Sequence, residues 1–438
     1  MKNKFEYILN VFKQVYGITW ELPVISYGTE PAGTIFIRQG NTRELTEKKA
    51  VCIKTGDIIW QEWRNRKIPF FFSNGSDEII EEKEGKWIIK LDIIESAFFL
   101  LSGWQEFFSE GKDQYGRFRY EDSCQCFLGI TSIPVVNYYF DILKTAIEKC
   151  QGMPIFSRSW GNHPFAVCLT HDIDTCESAW LQGSFHALKR KDIITPFKLI
   201  FKNLAGHDSW FNFEEILKIE SGYNARSTFF FLPRHEPRSG IKNADYRVTN
   251  RKFSAVFAGI RKRGSEVGVH GSVGSNLDSR LLNEDIRRVG EGIQGNRFHF
   301  LLYDAKSTPA VLEHSGLRFD SSLGFAEAYG FRNSFCMPFK PYDINNDRAF
   351  DYYEIPLVLM DGTLQKYMKK SASDCLPGVD ELLKEIRKFG GCFTLLWHNT
   401  HFSEFKYPGW RKVYIDILDM CKKENALFES CSNILNQY

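Results

Sequence analysis

No stretch of this chain approaches the roughly 18 consecutive apolar residues that a bilayer-spanning helix needs, so no segment reads as a transmembrane anchor. The opening residues Met1-Lys2-Asn3-Lys4-Phe5-Glu6-Tyr7 lack the unbroken apolar core of a signal peptide, and the expected location is the cytoplasm. Eleven cysteines contain no C-x-x-C pair, the closest being Cys124 and Cys126. Cys52, Cys168 and Cys392 sit inside apolar strand patterns, where a reduced thiol behaves as a small hydrophobe. Neither a disulfide framework nor a thiolate zinc site is indicated. Charge of one sign is also missing: 56 Lys and Arg face 54 Asp and Glu, a net of +2 with the signs interspersed. The whole-chain balance therefore gives no electrostatic reason to expect nucleic acid or an anionic membrane as a partner.

What is present is the composition of an ordinary globular protein, 43% hydrophobic and 25% charged, in a chain of 438 residues that is long enough for two domains. Aromatic residues reach 15%, with 38 Phe. Most serve packing, and some could line a sugar-binding cleft. From about residue 165 one pattern repeats, a short apolar run, a polar turn and a segment of helical period. Strands are expected at 165–170, 227–232, 266–270, 296–300, 317–320, 353–357, 392–397 and 427–430. Helices are expected at 213–222, 252–263, 279–290, 308–314, 379–389 and 410–423. Such alternation implies a parallel sheet with right-handed crossovers, and seven or eight units suffice to close a barrel. An open doubly wound sheet satisfies the same strand count.

Residues 1–155 read as a small separate α/β domain and 156–438 as the barrel domain. In the first, strands are expected at 33–37, 50–54, 68–72 and 87–94, helices at 96–108 and 134–150, and a solvated turn over the charge run 78–86. No reactive constellation is visible there. The connection between Asp174 and Ser227, with Trp180, His186, Trp210 and Phe211, is too long for a simple crossover and should pack helices beside the site.

The chemistry gathers where strands end. Val167-Cys168-Leu169-Thr170-His171-Asp172-Ile173-Asp174 is an apolar strand running into two carboxylates spaced i, i+2, which project from one face of an extended backbone. That suits a metal ligand beside a general base, although a lone D-x-D more often caps a turn. His270 closes another strand before Gly271-Ser272-Val273-Gly274-Ser275. Arg297 and His299 share the i, i+2 relation, and Asp320 is followed by Ser321-Ser322. The run Phe393-Thr394-Leu395-Leu396-Trp397 drives into His398, with His401 three residues on. Together these groups fit metal-assisted hydrolysis, with a carboxylate taking a proton from water and an imidazolium protonating the leaving group.

This series of motifs resembles the polysaccharide deacetylases of the NodB-homology class, carbohydrate esterase family 4, over roughly residues 160–435. It is closest to a branch in which a small amino-terminal domain of unknown role precedes the catalytic domain. The resemblance implies a distorted (β/α) barrel of about seven strands and a hydrolase that removes an N-acetyl group from an amino sugar in a glycan or a lipid-linked or nucleotide-linked precursor. It implies Asp172 as general base, Asp174 and His270 as ligands of a zinc-like divalent ion and Arg297 as the group that orients the base. Asp320 would pair with the catalytic imidazole, His398 would be the general acid, and Leu396 and Trp397 would line the substrate pocket. One departure stands out, because typical members carry a second His where this chain has Gly274. His299 is the replacement ligand expected, ahead of Ser272 and Ser275, since neutral hydroxyls bind zinc poorly. Two other readings stay open: a metal-independent amidohydrolase acting on another C–N bond, and an inactive sugar-binding or scaffold protein.

Overall fold

The computed structural model describes residues 2–73, 75, 78–238 and 240–438. Its larger part is built on parallel strands, β1 Ala166–Ile173, β2 Thr228–Phe231, β3 Glu266–Gly271, β4 Gly295–Phe298, β5 Phe319–Asp320, β6 Tyr353–Glu354, β7 Leu359–Met360 and β8 Cys392–Leu396. Every residue of β1, β2 and β8 is buried, as expected for strands with helices on one side and a filled interior on the other. The order across the sheet is β6-β5-β4-β3-β2-β1-β8-β7, and each neighbouring pair is parallel.

The two end strands are consecutive in the chain. Residues 353–360 pair with β5 at their start and with β8 at their finish. Between them the Ile355 N–H donates to the Asp320 carbonyl (2.9 Å) and the Val358 N–H to that of Thr394 (3.1 Å). One segment thus crosses from one edge of the sheet to the other and closes the ring, giving a distorted (β/α) barrel. Leu427–Phe428 adds a short parallel pairing to the start of β1.

The barrel is filled, not hollow. A Cβ at Gly295 would lie 1.9 Å from the Phe319 ring and one at Gly268 2.6 Å from Phe230, so glycine at these positions lets the rings occupy the interior. Above them the guanidinium of Arg297, fully buried, lies 4.8 Å from the Phe230 ring centroid.

The amino-terminal region carries a four-stranded sheet in the order Ile25–Gly28, Ile35–Arg38, Lys86–Ile89 and Ile80–Lys83, with helices Lys2–Tyr16, Ile93–Leu101 and Val135–Gln151. The charge run expected to be a solvated turn instead holds a strand. Ile80–Lys83 and Lys86–Ile89 form a hairpin that reverses at Glu84 and Gly85, both at positive φ (53° and 74°), which suits the twist of a two-residue hairpin loop. Residues 50–54, expected as a strand, run unpaired. This stretch follows Lys49, whose carbonyl accepts the Trp104 indole N–H (2.8 Å), and among the described residues no strand pairs with it. The apolar core is continuous from this region into the barrel. Polar links cross as well: Arg332 pairs with Glu106 (2.6 Å), both buried, and Tyr138 donates to Glu385 (2.7 Å).

Candidate active site

Asp172 ends its strand facing inward because it is spaced by two from Thr170, and both accept hydrogen bonds from Arg297 Nη1 (3.1 and 2.7 Å). Arg297 Nε and Nη2 are taken by the carbonyl and hydroxyl of Ser321, each at 2.8 Å, so the guanidinium has little freedom and the carboxylate it holds has little more. Asp174 lies just past the strand end. Its Oδ1 is 3.2 Å from His270 Nε2 and 3.7 Å from His299 Nε2. His270 is oriented from behind, since its Nδ1 meets the Arg297 carbonyl at 2.8 Å and Nε2 is left for the cleft.

On the other side His398 Nε2 stands 3.7 Å from Asp174 Oδ2, and its Nδ1 is 2.7 Å from Asp361 Oδ1. The second Asp361 oxygen is 3.0 Å from His401 Nδ1. His401 stacks on Tyr407, with centroids 3.8 Å apart and planes 7° from parallel. These groups line a cleft of about 300 Å³. Leu301, Ala326, Leu357 and Leu396 form a small apolar cluster of their own, with Met360 and Tyr367 packed against it, and most of it faces the same cleft.

The local fields are opposed. Burial disfavours charge on Asp174, yet His299 and His270 outweigh it and hold the carboxyl well below the usual range. Burial likewise opposes charge on His398, but Asp361 outweighs it and pushes the imidazole up to about 10. His401 and His299 go the other way, each brought by burial down to about 4. At neutral pH His398 therefore stands protonated beside neutral His299, while Asp172 and Asp174 raise His270 against the opposing effect of burial.

Asp174, His270 and His299 bring their donor atoms within 4.8 Å of one another. Asp174 Oδ1 is buried without a hydrogen-bond partner, and the donor set of one carboxylate and two imidazoles suits zinc in a hydrolytic site. These residues fit a divalent ion. Asp361, His398 and His401 also converge within 4.8 Å; there His398 Nδ1 is hydrogen-bonded to Asp361 (2.7 Å), whereas both His401 nitrogens are buried without a hydrogen-bond partner.

The expected residues do not all meet here. His299 joins the group on the side its i, i+2 relation to Arg297 implies: Phe298 between them is extended (φ −77°, ψ 137°), and the chain turns only beyond His299, with Phe300 in the left-handed region (φ 59°). Asp320 does not pair with His398. It sits beside Asn296 in register, accepts from Asn296 Nδ2 (2.6 Å) and Ser322 Oγ (3.1 Å), and neighbours Glu354 on β6. Asn296 precedes Arg297 and so faces the opposite side of β4, which puts Asp320 behind the barrel wall. Asp361 occupies the position beside His398 instead. Its signal was the apolar run 355–360 ending in an acid, the same pattern that marks Asp172. Trp397 is also displaced from the cleft. Leu396 and His398 face inward, so the residue between them points out, where Trp397 packs on Trp410 and Tyr414.

Gly274 has a φ of 89°, and a Cβ there would meet the Arg238 guanidinium at 3.2 Å, so the turn cannot present a His as an ordinary loop would. Ser272 and Ser275 are turned away, bonded to Asp285 (2.6 Å) and the Ser272 carbonyl (2.7 Å).

Residues 1–152 match DUF7033, a family of unknown function. No curated protein matches the chain. Among solved structures, a Mycobacterium smegmatis protein assigned to the polysaccharide deacetylases is 18% identical, with a TM-score of 0.42 over 64% of this chain and 92% of its own. PuuE allantoinase is 13% identical, with a TM-score of 0.40 over 64% and 91%. A Bacillus anthracis pseudoenzyme of the CE4 family is 13% identical, with a TM-score of 0.28 over 63% and 66%. These likenesses are distant, and what this cleft does is carried by its own side chains.

Proposed function

We propose that the chain is a hydrolase that removes the N-acetyl group from an amino sugar in a glycan or in a lipid-linked or nucleotide-linked precursor, with residues 1–155 and 156–438 as its two domains. The observation that carries this reading is that a fixed carboxylate and an imidazolium flank one donor cluster: Asp172 Oδ2 lies 3.8 Å from His270 Nε2, and His398 Nε2 lies 3.7 Å from Asp174.

Asp174, His270 and His299 would hold a divalent ion, zinc by donor type, which would polarise the amide carbonyl and the attacking water. Asp172, aimed by Arg297, takes the proton of that water. His398, kept protonated by Asp361, gives a proton to the departing amine nitrogen. The apolar cluster around Leu396 excludes water beside the reacting carbonyl, which favours acetyl over a charged acyl group.

Acetate release from N-acetylated sugar precursors, with zinc supplied and then removed by chelator, tests the proposal. Chelator-sensitive acetate release is expected. Hydrolysis of another C–N bond that survives chelation would instead establish a metal-independent amidohydrolase. Sugar binding without any release would mean a binding protein.

A further inference from the structure

The helical hairpin that follows β1 has its apolar surface inside out. Helix α1, Ala179–Lys189, buries Ala179, Gly183 and Ala187, and helix α2, Ile194–Leu204, buries Pro196 and Leu199. The contact is close because the inward residues are small: a Cβ at Gly183 would come within 2.8 Å of Leu199 and 2.5 Å of Phe405. The large side chains are left outside. Leu181, Phe185 and Leu188 form one stripe at i, i+4, i+7, and Ile194, Phe197, Phe201 and Leu204 form another. Phe197 is 75% exposed, Phe201 74% and Leu204 79%. A contiguous face of this kind is not left to water without a partner.

The charge on the same hairpin indicates which partner. Lys189, Arg190, Lys191, Lys198 and Lys202 stand against one acid, Asp192, whose carboxylate is occupied at the start of α2 with the N–H groups of Ile194 and Thr195 (3.0 Å each). The local excess is thus larger than the +2 of the entire chain. Lys198 and Lys202 are four apart on α2, beside the apolar stripe, and Lys191 is exposed at the tip. Aromatic and aliphatic residues framed by lysines on exposed helices are the pattern of a segment lying in the interface of an anionic bilayer.

We infer that this hairpin docks the protein on the surface of an anionic phospholipid membrane, with α1 and α2 lying in the interface. Its position gives the docking a use, because α1 starts five residues after Asp174 and Gln182 on it lines the cleft. A membrane reached through the hairpin lies at the rim that carries the site, within reach of a sugar borne on a lipid. The docking itself stands apart from the hydrolytic reading and is measured without turnover.

The test is flotation of the full chain with vesicles of phosphatidylcholine alone and of phosphatidylcholine mixed with phosphatidylglycerol, at low and high salt. Binding to the anionic vesicles and weakening by salt are expected. Lys198→Gln with Lys202→Gln should weaken it roughly tenfold or more. Phe197→Ser, Phe201→Ser and Leu204→Ser together should abolish it, with circular dichroism and melting unchanged because all three side chains are exposed. Failure of the wild type to float with anionic vesicles overturns the inference. So does a wild-type dimer in sedimentation that the triple Ser variant turns into a monomer without vesicle binding, since a second copy would then cover the face.

Discussion

Tyr115 lies flat on Phe300, with ring centroids 5.0 Å apart and planes 10° from parallel. Phe300 in turn stacks on His299 at 4.0 Å, and Arg117 Nη1 donates to the Phe300 carbonyl (2.8 Å). The amino-terminal region therefore clamps the left-handed turn directly beyond His299, one of the three candidate metal ligands. Tyr115→Ala and Arg117→Met should each lower zinc affinity about 10- to 100-fold, the usual cost of losing a group that holds a ligand in place. Isothermal titration with zinc checks this, and unchanged affinity would show that the turn holds without the clamp.

Asp172→Asn and His398→Ala should each reduce acetate release on the order of 100- to 10,000-fold while leaving zinc binding near wild type. Rates at saturating substrate, compared with metal content per chain, separate this from loss of the ion.

His398 is held up to about 10 by Asp361 against the opposing effect of burial, so it remains a proton donor until well above neutrality. Asp361→Asn removes the opposing charge but keeps the size, and burial then dominates. The alkaline limb of the kcat profile should move to lower pH. An unshifted limb would mean that another group supplies the proton.

Arg297→Met should destabilise the fold by about 3–5 kcal/mol, because it leaves the Asp172 carboxylate and the Ser321 carbonyl in the barrel without their donor. Arg297→Lys should recover little, since an ammonium cannot reach Ser321, Thr170 and Asp172 at once. Denaturant titration measures both.

Far from the cleft, burial pushes the Glu95 carboxyl up to about 7, and nearby Lys4 offsets this only in part. The folded state then binds this proton more tightly than the unfolded chain does. Glu95 accordingly favours folding at acidic pH, and that contribution is lost as pH rises from about 4.5 to about 7. Glu95→Gln should flatten that part of the stability profile, by up to about 3 kcal/mol. Melting followed across this range with both proteins is the check.

The barrel was legible because β1, β2 and β8 are mostly apolar runs, and Asp172, Asp174, His270 and His398 because each lies at or just past the end of such a run. Asp361 was not, since β7 is two residues long and Pro356 interrupts the apolar stretch leading to it. Asp320 misled for the converse reason: linear order suggested a partner for His398, whereas register with Asn296 decides which side of the wall it faces. The hairpin's charge was hidden by averaging over the chain. The clamp on His299 depends on a backbone turn at Phe300, a residue type with no preference for positive φ, so only the packed structure reveals it.

The segment that crosses from β6 to β7 ends at Asp361, so closing the ring and charging His398 are one event. Displacing the seam would take Asp361 away from His398 and remove the charge that keeps the imidazole protonated. The proposed proton donation thus depends on a closed ring, and a change that loosens the seam should lower turnover even where the other strands hold.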